Sequence, residues 1–178
     1  MAKQTIITLS GKARHGKDTS AQIIKSILER RGKRVMVTNY ADFLKYLAKQ
    51  YLDWDGSKDG QGRTLLQHLG TEKVRLRFPD YWVETVMGIA KVFEDDYDCV
   101  LIADTRFPNE INCWKEDGYS VISVYVERLN FDNGLTEEQK NHPSENALND
   151  FQFDIKIQTR TLEELEQRIT LHMGELII

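Results

Sequence analysis

The sequence predicts an α/β fold of three layers, a five-stranded parallel sheet with helices on both faces. Two observations lead there. Five short apolar runs are spread along the 178 residues, and helix-patterned segments lie between them. Buried strands joined through helices form a parallel sheet covered on both sides. Right-handed crossovers then bring every strand-to-helix loop to one edge of that sheet, which is the edge where such sheets bind ligands.

Each element has its own signature. Ile6-Ile7-Thr8-Leu9 is a strand that ends at Ser10-Gly11. Residues 18–31 place Ala21, Ile24, Ile27 and Leu28 on one helical face, and Gly32 stops that helix. Val35–Val37 is the second strand and Ala41–Tyr51 the second helix. Residues 52–62, rich in Asp, Gly and Ser, read as a loop. Helices are expected over Arg63–Arg77 and Pro79–Phe93, the latter with its proline near the first turn. Val100–Ala103 is the third strand, Asn109–Glu116 a helix, Val121–Val126 the fourth strand, Phe153–Ile157 the fifth and Leu162–Leu171 a closing helix. Residues 127–147 are polar and loop-like.

Composition narrows the function classes. A length of 178 residues suits one ordinary domain, and 40% hydrophobic with 29% charged residues describes a globular chain rather than a disordered one. No signal peptide and no membrane-spanning stretch is visible, and the two cysteines, Cys99 and Cys113, form no metal or redox pattern; a cytoplasmic protein without membrane partners is expected. The net charge of −4 hides an asymmetry, for residues 1–80 hold 16 Lys and Arg against 8 Asp and Glu, whereas residues 81–178 hold 8 against 20. The cations form no single run, so they suit a small phosphorylated ligand better than nucleic acid.

The loop after the first strand carries the sharpest signal. Gly11-Lys12-Ala13-Arg14-His15-Gly16-Lys17 matches G-x-x-x-x-G-K, the glycine-rich loop whose N–H groups wrap a phosphate, here between a strand and an amphipathic helix. The helix's first turn adds positive potential, and Lys17 can reach the β- and γ-phosphates. ATP with Mg²⁺ is the ligand such a loop takes. The hydroxyl usual after the lysine is replaced by Asp18, followed by Thr19; either could serve the Mg²⁺, and the sequence leaves that open.

Further matches run in order over most of the chain: SGKARHGKDTSA, ADFLK, GRTLLQHLGTE with YWV downstream, VLIADTRFPNEI, DGYSVISVYV, and HPSENAL before FDIKI. In these the chain resembles the deoxynucleoside monophosphate kinases of bacteriophages and related bacterial proteins. The resemblance implies a P-loop kinase fold and transfer of a phosphoryl group from ATP to a deoxynucleoside monophosphate. It leaves the base undecided. A kinase for another small phosphorylated metabolite and a nucleotide-binding module without transfer remain as alternatives, and a homodimer is compatible with the sequence.

Such a transfer rests on positioning and charge neutralisation, so the candidates are cations and metal-orienting acids. Lys17, Asp104 and Arg106 form the expected catalytic set, Asp104 at the end of the third strand orienting Mg²⁺ or else capping a helix. Arg63 and Gln67 share a helix face and could grip an acceptor's phosphate and base, or simply meet solvent. Arg75 lies further along. Trp82 could stack on a base or belong to the core, and Asp42 and Lys45 could line the acceptor pocket or decorate a helix. The segment about 40–93 is thus the expected acceptor-binding region. The loop about 127–147, with Arg128, Lys140, His142, Ser144 and Glu145, suits a lid; Arg128 is its candidate nucleotide contact. The four histidines are scattered and read as structural or surface residues.

Overall fold

In the computed structural model, which describes residues 3–57 and 59–175, β1 (Thr5–Ser10) lies at the centre of the sheet. It is flanked by β3 (Cys99–Thr105) and β4 (Ser120–Arg128), with β2 (Val35–Thr38) and β5 (Ile155–Thr159) at the edges. All pairings are parallel, and the order is β2-β3-β1-β4-β5. The strand order therefore changes direction beside β1, with β2 reached on one side and β4 on the other, so the crevice for a ligand opens at its carboxyl end.

Alternation along the strands builds the two outer layers. Ile7, Leu9, Leu101 and Ala103 face α1 (Lys17–Arg30) and α8 (Leu162–Glu175), where Ile24, Leu28, Leu165 and Ile169 complete one core. Ile6, Val100 and Ile102 face the other side. There α2 (Ala41–Tyr51), α4 (Tyr81–Val92) and α5 (Asn109–Glu116) contribute Leu44, Ala48, Val83, Val86 and Trp114 to a second core.

Three expectations change in detail. The helix expected over Arg63–Arg77 is α3 (Gly60–Gln67) followed by a π-helical stretch, His68–Arg75. Asp59 starts α3 earlier than expected because its side chain accepts the Gly62 N–H. The region about 127–147 is more ordered than a polar loop: β4 runs on to Arg128, and α6 (Glu137–Asn141) and α7 (Pro143–Asn146) follow. A reciprocal Thr136–Gln139 capping box starts α6, and Pro143 at the first position of α7 pre-sets its turn. The fifth strand lies at 155–159 rather than 153–157, because Asp154 turns its carboxylate onto the Ser123 N–H and hydroxyl just ahead of it. Among the described residues no helix is long and apolar enough to cross a membrane.

Candidate functional site

The loop between β1 and α1 is shaped by its glycines. Gly11 has φ +147°, and a Cβ there would sit 2.3 Å from the Val126 carbonyl oxygen, so only glycine lets β4 approach this closely. Gly16, at φ 93°, precedes α1, and no side chain among the described residues caps that helix. Its first-turn N–H groups therefore stay available to an anion. Lys17 is buried, and its ammonium donates to the Gly11 and Lys12 carbonyls, each at 2.8 Å. Burial pushes Lys17 down to about 7, with Arg106 adding repulsion.

A cavity of about 730 Å³ opens beside this loop, between the end of the sheet and the helical segment. Six cationic side chains line it: Arg14, Lys17, Lys45, Arg63, Arg75 and Arg106. Against them stand the carboxylates of Asp18, Asp104, Glu110 and Glu145. The surplus of positive charge in a recessed cleft suits a polyanion.

The structure brings many expected residues to this cavity. Ala13, Arg14, Lys17, Asp18, Lys45, Arg63, Gln67, Arg75, Trp82, Asp104 and Arg106 all reach it. Arg63 and Gln67 do share the inward face of α3. The Arg63 guanidinium has no polar partner among the described residues, and burial holds its pKa below the ordinary value against the pull of Glu145. Arg106 donates to the Gly11 carbonyl at 3.1 Å and pairs with Glu145 at 2.9 Å, which fixes it at the loop's mouth.

Other expectations are placed differently. Trp82 is 3% exposed, donates its indole N–H to the Gly70 carbonyl at 3.0 Å and packs edge-on against Tyr81. It is therefore a core residue with one side on the cavity, not a free stacking platform. Arg75 is held by an ion pair with Glu110 and lies 3.9 Å over the Phe107 ring, so it braces the wall. Asp42 does not reach the cavity; it turns to Asn39 and Lys45. Thr19 is exposed and also lies off the cavity, which leaves Asp18 as the carboxylate facing it from that turn. Arg128 packs over Phe131 at 4.3 Å, and its backbone N–H goes to His15 Nδ1, so His15 and Arg128 brace the outside of the loop. Gly11 and Lys12 border a small neighbouring cleft instead.

Asp104 has a double position. Its two oxygens accept the Tyr40 and Ala41 N–H groups at 2.8 and 3.0 Å, so it caps the start of α2 rather than the helix that follows its own strand. It also lines the cavity, where burial raises its pKa. Among the described residues no three acidic or metal-binding side chains cluster as a cage. Asp18 and Asp104, both lining the cavity, nonetheless fit Mg²⁺, which is ordinarily held by one or two carboxylates together with the phosphates it accompanies.

Glu110 is not named by the sequence reading, and Glu145 is named there only as part of the lid loop. Glu110 is 2% exposed and accepts the Arg106 and Phe107 N–H groups as well as Arg75; burial pushes it up to about 7 despite that guanidinium. Glu145 on α7 accepts the Ala13 N–H at 3.0 Å while pairing with Arg106. The spacing of Glu110 four residues beyond Arg106 is a local capping signal that was available in the sequence. Glu145 meets the loop across 132 residues, and no local pattern marks that contact.

No protein-family model matches the chain, and no curated protein sequence matches it. Among solved structures, the APS kinase CysC of Mycobacterium tuberculosis in complex with AMPPNP and APS is similar over 99% of this chain and 100% of its own, with a TM-score of 0.52 and 11% identity. A mutant of that kinase gives a TM-score of 0.52 and 12% identity. The crystal structure of APE1195 is similar over 98% of this chain and 95% of its own, with a TM-score of 0.51 and 14% identity. At these identities the likeness is one of fold: the chain has the three-layer α/β architecture of P-loop kinases.

Proposed function

We propose that the chain transfers the γ-phosphoryl group of ATP to a deoxynucleoside 5'-monophosphate, giving ADP and a deoxynucleoside diphosphate. The observation that carries this reading is the convergence of Lys17, Arg106 and Arg63, the last without a polar partner among the described residues, on one cavity beside a phosphate loop. A phosphate loop alone accounts for the donor. Arg63, projecting from α3 on the far wall, supports a second anion. In this reading the helical region about 40–93 holds the acceptor and residues about 127–147 form the lid.

An acceptor phosphate oxygen attacks the γ-phosphorus while the bond to the bridging oxygen of ADP breaks, with the negative charge spread over the equatorial oxygens. Such an acceptor is already a nucleophile and needs no strong base. Lys17 and Arg106 offset charge on the transferring group, and Arg63 offsets repulsion between the acceptor's phosphate and the donor's. Bound Mg²⁺ would supply Lewis-acid neutralisation of phosphate charge, and Asp18 and Asp104, which line the cavity, would orient it. Gln67, with Thr71 one turn further along, offers polar groups to a base edge among Leu44, Leu66 and Phe107.

The test is a panel of deoxy- and ribonucleoside monophosphates with coupled detection of ADP. Acceptor-dependent ADP with at least one deoxynucleotide is expected, and ADP with none of them sinks the reading. The fold shared with APS kinase favours one second reading, a kinase for another small phosphorylated metabolite. Including APS and other monophosphate acceptors in the panel separates the two.

A further inference from the structure

Glu145 places an anion in the phosphate loop. Its Oε2 takes the Ala13 N–H at 3.0 Å, its Oε1 pairs with Arg106 at 2.9 Å, and the side chain is 4% exposed. A backbone N–H has one proton to donate, so Ala13 cannot serve Glu145 and a phosphate oxygen together. A phosphate seated on this loop would also repel the carboxylate at close range, in a site where screening is weak. The contact is not isolated. Arg14 donates to the Asn133 carbonyl at 2.9 Å, and Gln139 reaches the Gly60 carbonyl, so the 130–146 segment is tied to both the loop and the start of α3. The segment also rests on Leu135, which is buried, and on Phe131, which packs edge-on against His15, but α7 itself meets the loop through Glu145, whereas the loop and Arg106 are anchored on the central strands.

We propose that Glu145 is a positioning residue that stands in for phosphate: it keeps the Ala13 N–H and Arg106 aligned, and it is displaced, together with α7, when a polyphosphate takes those same donors. This rests on reading the loop as a phosphate site and adds an order to its use, since the lid segment must release the loop before a ligand's phosphates seat. Binding is then weakened by the fraction of molecules in which Glu145 is docked.

Inorganic tripolyphosphate tests this without reference to catalysis. Its affinity for the full chain is measured by calorimetry for the wild type, Glu145→Gln and Glu145→Asp at constant ionic strength. Glu145→Gln, which keeps the shape and removes the charge, should bind about tenfold more tightly. Glu145→Asp keeps the charge and should stay near wild type. Equal or weaker binding by Glu145→Gln overturns the proposal, because a merely structural glutamate would weaken the site when altered. Should that variant fail to fold, hydrogen exchange on the wild type decides: amides of residues 144–148 should exchange faster with saturating tripolyphosphate, and unchanged or slower exchange overturns the proposal. Tripolyphosphate binding by none of the folded proteins overturns the phosphate-site reading itself. A failed acceptor panel leaves this result standing.

Discussion

Lys17 is the residue on which phosphoryl transfer should depend most. Lys17→Ala is expected to abolish transfer, since losing a cation at the transferring group costs several kcal/mol of barrier, roughly 3–4. The circular dichroism spectrum should stay near wild type. Near-normal kcat would remove the loop from the mechanism. Its depressed pKa adds a pH signature. Burial favours the neutral amine, so above about 7 the ammonium is lost, and a phosphate that restores it must bring in a proton. Nucleotide binding at pH 8 should therefore take up about one proton, read as a buffer-dependent calorimetric enthalpy. Arg63 makes the complementary case. Arg63→Ala should cost on the order of 2–4 kcal/mol in kcat/KM for the acceptor while the KM for ATP moves much less. Intact acceptor kinetics across the panel would reduce Arg63 to a solvated face of α3.

At the scale of elements, one carboxylate couples a strand end to a helix start. Asp104, at the end of β3, receives two N–H groups from the first turn of α2. Asn offers one oxygen where Asp offers two, so Asp104→Asn should lower stability by about 1–2 kcal/mol through the cap alone. A metal-orienting role adds a second effect, a higher Mg²⁺ concentration at half-maximal activity. A loss of stability with an unchanged Mg²⁺ titration would assign Asp104 to capping only. The π-helical stretch has a comparable structural consequence. Its wider turn aims Gly70, Thr71 and Arg75 at the cavity and lets the Gly70 carbonyl receive Trp82.

Across the whole molecule, the buried Arg75–Glu110 pair ties the π-helical stretch to α5 and to the turn that follows β3. Arg75→Ala leaves Glu110 buried and unpaired, which should destabilise the fold by about 3–5 kcal/mol. The sign of the pH dependence follows from Glu110, whose pKa burial raises from 4.5 to about 7. A carboxyl with a raised folded pKa binds its proton more readily in the native state, so stability falls as pH rises between those values. The deficit of Arg75→Ala should thus be smaller at pH 5 than at pH 8. Urea unfolding at both pH values measures it, and a deficit independent of pH would mean that Glu110 carries no buried charge.

The sequence by itself determined the layered α/β fold, the phosphate loop and most of the strands, because those rest on local signals: short apolar runs, helical periodicity, and glycines beside a lysine. It also named Arg63, Gln67 and Arg106, since spacing on a helix and position after a strand are local facts too. Only the tertiary structure decided which neighbours those side chains have. Trp82 became a core residue because the Gly70 carbonyl was within reach, and Arg75 became a brace because Glu110 lay opposite. Asp42 and Thr19 turned away from the cavity, and Asp104 capped a helix 64 residues earlier in the chain. Glu145 entered the phosphate loop over a separation of 132 residues. Contacts of that kind depend on how crossover connections fold back onto one sheet edge. Periodicity records which face a residue occupies, and it carries no information about the group that will meet it there.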